Sequence, residues 1–138
     1  MLHNQYISDF INYIKQGEKR LSVTGLSGSA TTFFLSQLLL KLEKPCLIIL
    51  PKAADAKKIY RELRFFLPGE WAESEPGRRR LFNFPVYDIS PLAGLSPHRR
   101  VIKRRLEALY ALTSEQAPVV IGRIQRKEEK ETDRNHYG

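Results

Sequence analysis

Apolar residues at Ile7, Phe10, Ile11 and Ile14 recur at i, i+3, i+4 and i+7. This spacing predicts a helix with one buried face, ended at Gln16-Gly17. Leu21-Ser-Val-Thr24 predicts a short strand running into Gly25. Residues 29–43 predict a second helix, apolar on nearly every side (Phe33, Phe34, Leu35, Leu38, Leu39, Leu40, Leu42), as expected of a helix packed on several faces. After Pro45, the run Cys46-Leu-Ile-Ile-Leu50 predicts a strand covered on both faces of a parallel sheet. Ala56, Ile59, Tyr60, Leu63 and Leu67 mark a third helix, stopped by Pro68-Gly69, and residues 70–77 read as a polar surface loop. Residues 80–84 predict a third strand, and 85–95 an irregular segment. Ser96-Pro97 supplies an N-cap and a first-turn proline for a fourth helix, with Ile102, Leu106, Leu109 and Tyr110 as its apolar face. Pro118-Val-Val-Ile121 predicts a last buried strand.

Strands alternating with helices indicate an α/β fold with a mainly parallel sheet. The globular part is expected over residues 1–122. Residues 123–138 carry no apolar period and are expected to form a charged, disordered tail. Four strands ending in a polar tail make an incomplete α/β unit. No stretch is apolar enough to predict a membrane span, and no secretory leader is expected. The single cysteine, Cys46, allows no internal disulfide and suits a reducing cytoplasm; within its apolar run it reads as inert core.

The candidate chemistry lies at residues 25–32, Gly-Leu-Ser-Gly-Ser-Ala-Thr-Thr, between a predicted strand and a helix start. A phosphate-binding loop reads G-x-x-x-x-G-K-[ST] there. Gly25 supplies the first glycine, and Gly28 adds another inside the loop. Ala30 stands for the second glycine, Thr31 for the lysine, and Thr32 for the hydroxyl that helps hold Mg²⁺. The missing lysine leaves a triphosphate only partial helix charge, about 0.3–1 kcal/mol at an exposed site. If the Ala30 position needs positive φ, its methyl adds strain of about 1 kcal/mol. Hydrolysis further needs an acid after an apolar strand. Leu50 is followed by Pro51-Lys52, and Ile121 by Gly122-Arg123. A glycine turn that packs a helix is therefore the favoured reading, with no catalytic residue and no cofactor expected. His3, His98 and His136 are scattered, so no metal site is expected.

Charge changes the picture in one region. The formal net charge is +8. Arg78, Arg79, Arg80, Arg99, Arg100, Lys103, Arg104 and Arg105 face a single acid, Asp88, between residues 77 and 105. Such a patch attracts phosphate backbones and acidic protein surfaces alike.

Two segments together carry a resemblance: Thr24-Gly-Leu-Ser-Gly-Ser-Ala-Thr-Thr32, and Phe84-Pro-Val-Tyr-Asp-Ile-Ser-Pro91 followed by Leu95-Ser-Pro-His98 and Arg105-Leu-Glu-Ala-Leu-Tyr-Ala-Leu112. With Ile48-Ile-Leu-Pro51 between them, residues 5–122 resemble the N-terminal region of the bacterial transcription-repair coupling factors (Mfd), a degenerate helicase-like domain similar to the first domain of the excision-repair subunit UvrB. The resemblance implies a P-loop NTPase-like, RecA/UvrB-type three-layer fold. It implies that the full-length protein is an ATP-driven DNA translocase coupling release of stalled RNA polymerase to nucleotide excision repair. RNA polymerase, UvrA, DNA and the protein's other domains would be its partners. The altered loop keeps ATP binding from being carried onto residues 25–32, and the charged segment after Gln125 keeps UvrA binding from being carried onto any residue. Three readings are open: a catalytically silent scaffold module, a P-loop NTPase with an atypical loop, and a basic nucleic-acid-binding module.

Overall fold

The computed structural model describes residues 2–73, 78–86, 99–114 and 116–124. Helix α1 (Leu2–Lys15) and helix α2 (Ser29–Lys41) precede strand β1 (Cys46–Leu50). Helix α3 (Ala53–Phe66), a single turn α4 (Glu70–Glu73) and strand β2 (Leu81–Phe84) follow, then helix α5 (Arg99–Leu112) and strand β3 (Val119–Arg123). The strands form one parallel sheet in the order β1-β3-β2, with Ile48 opposite Ile121 and Leu81 opposite Val119. β3 is inserted between two strands that precede it, so α3 crosses one face and α5 the other. This gives an open three-layer α/β architecture.

The pleat sorts the core. Ile48, Leu81, Val119 and Ile121 point to one face and bury against Leu39 of α2 and Ala56 and Leu63 of α3. Phe82 and Val120 point to the other face and meet Ala108 and Ala111 of α5. α1 packs on α2. Its Ile7 and Ile11 pack on Leu38, and Phe10 meets Phe34 edge to face at 5.5 Å between ring centres. Sandwiched between α1 on one side and α3 and the sheet on the other, α2 needs apolar residues nearly all round.

Several expectations are corrected. Leu21–Thr24 forms no strand. Its alternation is real, but among the described residues no strand pairs with it, and an isolated strand cannot satisfy its backbone. β1 is covered on one face only. Ile48 is buried, whereas Leu47 and Ile49, on the same sheet face as Val120 but past the end of the sheet that α5 covers, are each 57% exposed. Residues 70–73 form α4 rather than a surface loop, and Trp71 is buried in the main core. The apolar face expected of α5 turns outward: Leu106 is 61%, Leu109 50% and Tyr110 77% exposed. The helix is seated on Ala108 and Ala111 because close approach to Phe82 and Val120 leaves room only for small side chains. The last strand runs on to Arg123, two residues past the end expected for it at Ile121, and the Ile124 amide donates to the Leu50 carbonyl at 2.9 Å. The Ser96-Pro97 cap, Tyr87, Asp88, His98 and residues 125–138 lie outside the described residues.

Candidate functional site

Two backbone conformations shape the loop before α2. Gly25 has φ 82° and Gly28 has φ 57° with ψ −137°, values that a side chain would strain. Gly28 is the N-cap of α2, so no side chain caps the helix. The chain instead turns back on itself. The Ala30 amide donates to the Ser27 carbonyl at 3.2 Å, and the Thr31 amide to the Gly28 carbonyl at 3.3 Å. In a phosphate cradle such amides point at the ligand. Here two of the four that a helix start leaves free are already engaged. Ala30 itself is helical, and no non-glycine residue among those described has positive φ. The strain considered for this alanine is therefore absent.

Thr32 decides what the loop supports. Its residue is 1% exposed, and its Oγ1 donates to the Glu62 carboxylate of α3. The hydroxyl that would hold a metal ion is turned into the α2–α3 interface. One turn on, fully buried Ser36 donates to the Phe33 carbonyl at 2.6 Å, which satisfies the other buried hydroxyl of this face. Thr31, at the lysine position, brings no charge.

The helix start lies between two grooves. On the α1 side, Tyr6, Phe10, Tyr13, Leu21, Val23, Leu26, Ala30 and Phe33 help line an open groove of about 700 Å³. Its lining has no cation, and its one charged residue, Asp9, has the wrong sign for a phosphate. On the α3 side, Ser29 joins Lys58, Arg61, Glu62, Phe65 and Phe66 around a groove of about 480 Å³. Two cations therefore stand near the helix start, but they come from α3, beside the carboxylate that holds Thr32.

The eight basic residues do not form one solvated face. Arg80 stacks on Trp71, 3.8 Å from the ring centre, and its Nε donates to the Ala117 carbonyl at 3.2 Å. Burial pushes its pKa below the ordinary value, with the Glu43 carboxylate acting the other way. Arg79 lies over Phe82 at 4.7 Å and pairs with Glu107 at 2.6 Å. Arg105 lies over Phe84 at 4.2 Å and donates to the Pro85 carbonyl at 2.8 Å. Each of these three arginines seals an edge of the core with an aromatic ring. Arg78, Arg99, Arg100, Lys103 and Arg104 are exposed.

Sequence reasoning missed Glu62, the Trp71–Arg80 stack and the aromatic partners of Arg79 and Arg105. A signal for the first existed: Thr32 and Ser36, four residues apart in a largely apolar helix, mark one turn-spaced polar stripe. The aromatic pairs are non-local and leave no such trace. Cys46 is partly buried, and burial pushes its thiol pKa up, which disfavours the thiolate. Among the described residues no cluster of acids, histidines and cysteines could hold a metal ion, and no helix is long and apolar enough to cross a membrane.

No protein-family model matches the chain. Similar proteins do. A stretch of 116 residues, 83% of the chain, is 30% identical to the transcription-repair-coupling factor of Bacillus subtilis, of which it covers 9%. Shorter stretches are similar to UvrABC system protein B. The match is 35% identical over 69 residues in Psychromonas ingrahamii, covering 50% of the chain and 10% of the relative. It is 31% identical over 67 residues in Methanobrevibacter smithii, covering 49% and 10%. The chain thus spans about a tenth of the length of these relatives. The extent of the first match, the repeated likeness to UvrABC system protein B and the open parallel sheet together support the resemblance of this chain to a UvrB-like domain of the transcription-repair-coupling factors.

Proposed function

We propose that this chain is a non-catalytic scaffold module of a transcription-repair coupling factor. Its glycine loop packs α2 against α3 and no longer binds nucleotide. The observation that carries this reading is the buried Thr32 hydroxyl bonded to Glu62. A metal-holding role would require the same hydroxyl to face outward. The uncharged Thr31 and the engaged Ala30 and Thr31 amides support the same reading. The scaffold role is supported by the apolar positions left uncovered, Leu47 and Ile49 on β1 and Leu106, Leu109 and Tyr110 on α5. Contiguous exposed apolar surface marks contact with further protein, here the other domains of the full-length protein.

At the level of the full-length protein, the names of its relatives support a role in nucleotide excision repair coupled to transcription. RNA polymerase, UvrA and DNA are the partners in that reading. The activity of the whole would reside outside this chain.

Titration calorimetry of the 138-residue chain with ATP and Mg²⁺ tests the proposal. No saturable heat is expected. The double substitution Ala30→Gly and Thr31→Lys should restore measurable binding if the loop geometry is inherited. Tight, saturable binding by the unaltered chain would overturn the reading in favour of an NTPase with an atypical loop.

A further inference from the structure

The outer edge of β2 is built differently from that of β1. A groove of about 440 Å³ runs beside it, with Leu81, Phe82 and Asn83 in its lining. One wall is Tyr60 and Arg64 of α3. The other is Arg100, Lys103, Arg104 and Glu107 of α5. These helices cover opposite faces of the sheet. A groove that touches both and also β2 has to cross the free side of that strand, because β3 occupies the other side.

The ladder fixes which backbone groups look into this groove. The Val119 amide donates to the Arg80 carbonyl at 2.6 Å, and Leu81 stands opposite Val119. In a parallel pair the bonding residues alternate along the strand. The Arg80 carbonyl and the backbone groups of Phe82 and Phe84 therefore turn to β3, the Arg80 amide donates to the Trp71 carbonyl at 2.9 Å, and Leu81 and Asn83 turn their backbone groups outward. Among the described residues no neighbouring strand pairs with that edge. An unpaired edge is a template for another strand.

We propose that this edge accepts an extended, acidic polypeptide segment as an added strand. Charge selects the acid: five cations (Arg64, Arg79, Arg100, Lys103, Arg104) line the groove, and with Glu73 paired to Arg64 at 3.1 Å and Glu107 shared by Arg79 and Lys103 they outnumber the carboxylates five to two. The edge selects polypeptide over nucleic acid. A phosphate backbone offers acceptors alone and leaves the outward carbonyls of Leu81 and Asn83 without donors, whereas a peptide strand supplies both. β2 has four residues, so about 13 Å of added strand is held in register. Side chains of that strand alternate between the Tyr60–Arg64 wall and the α5 wall. The inference goes beyond the scaffold reading and holds whether or not the glycine loop binds nucleotide.

Fluorescence anisotropy tests it on the 138-residue chain. One probe is a labelled octapeptide of alternating Glu and Val. A second is the same peptide with its four central amides N-methylated. A third is a labelled twelve-residue oligothymidylate. The first should bind saturably, the second at least tenfold more weakly. Asn83→Pro removes an outward amide without touching the bonds to β3, and should weaken the first probe at least tenfold while circular dichroism stays unchanged. Lys103→Glu with Arg104→Glu should weaken it at least as much. If Asn83→Pro does not fold, the methylated peptide still decides. No binding of the first peptide, equal binding of both peptides, or oligothymidylate binding tighter than the first peptide would overturn the proposal.

Discussion

Replacing Thr32 by valine isolates the one hydroxyl that separates a structural loop from a metal-holding one. Valine matches threonine in shape, and the site is 1% exposed, so packing on α2 is conserved. What is lost is the donor to the Glu62 carboxylate. A hydrogen bond to a charged group is worth about 1.5–3 kcal/mol net. Glu62 is only half-buried, so water recovers part of the loss and about 1–2 kcal/mol of destabilisation is expected. With a urea slope of about 1–3 kcal/mol per molar, the unfolding midpoint should fall by about 0.3–2 M with the slope unchanged. Thr32→Ser keeps the donor and should cost only the missing methyl, about 0.8 kcal/mol. A cycle with Glu62→Leu should show coupling of about 0.5–3 kcal/mol, because the two side chains act as one unit. The assay is equilibrium urea unfolding followed by circular dichroism. A neutral Thr32→Val, combined with a change in Mg²⁺–ATP affinity, would refute the reasoning and return the hydroxyl to a metal-binding role.

Other positions give independent checks. Arg80→Ala removes the stack on Trp71 and the bond to Ala117; a loss of about 1–3 kcal/mol and a red-shifted emission from the chain's single tryptophan are expected. Ala108→Leu should destabilise by about 1–3 kcal/mol through overpacking against the sheet, while Leu109→Ser should stay within about 0.5 kcal/mol; thermal melting distinguishes them, and the reverse ranking would mean α5 is seated on its leucines. Cys46 should react with a thiol reagent far more slowly in the folded chain than in urea. Because burial raises its pKa in the folded state, its contribution to stability is full below the ordinary thiol pKa and declines as pH rises past it. Cys46→Ala should flatten that alkaline decline in urea titrations.

Much of the architecture is legible in the order of apolar runs. Cys46–Leu50 and Val119–Ile121 are too short and too apolar for anything but strands, and the stripe Ile7–Ile14 places one face of α1 on its neighbour. The reading fails where the deciding partner is distant in sequence. Leu21–Thr24 alternates like a strand, but pairing needs a neighbour that periodicity cannot name. The face of α5 misleads because apolar periodicity rewards large residues, while close packing on Phe82 and Val120 selects Ala108 and Ala111. Trp71 stands among polar residues, and only the fold brings Arg80 over its ring. At the loop, the substitutions at Ala30 and Thr31 are visible directly. The Glu62 partner of Thr32, thirty residues away, is not.

The central claim is that residues 25–32 hold a helix in place and hold no triphosphate. Amide spectra of the isotope-labelled chain, recorded as Mg²⁺–ATP is added, test it residue by residue. The account predicts that the Gly25, Gly28, Ala30, Thr31 and Thr32 resonances stay where they are up to millimolar nucleotide. Saturable shifts centred on those five amides would contradict it.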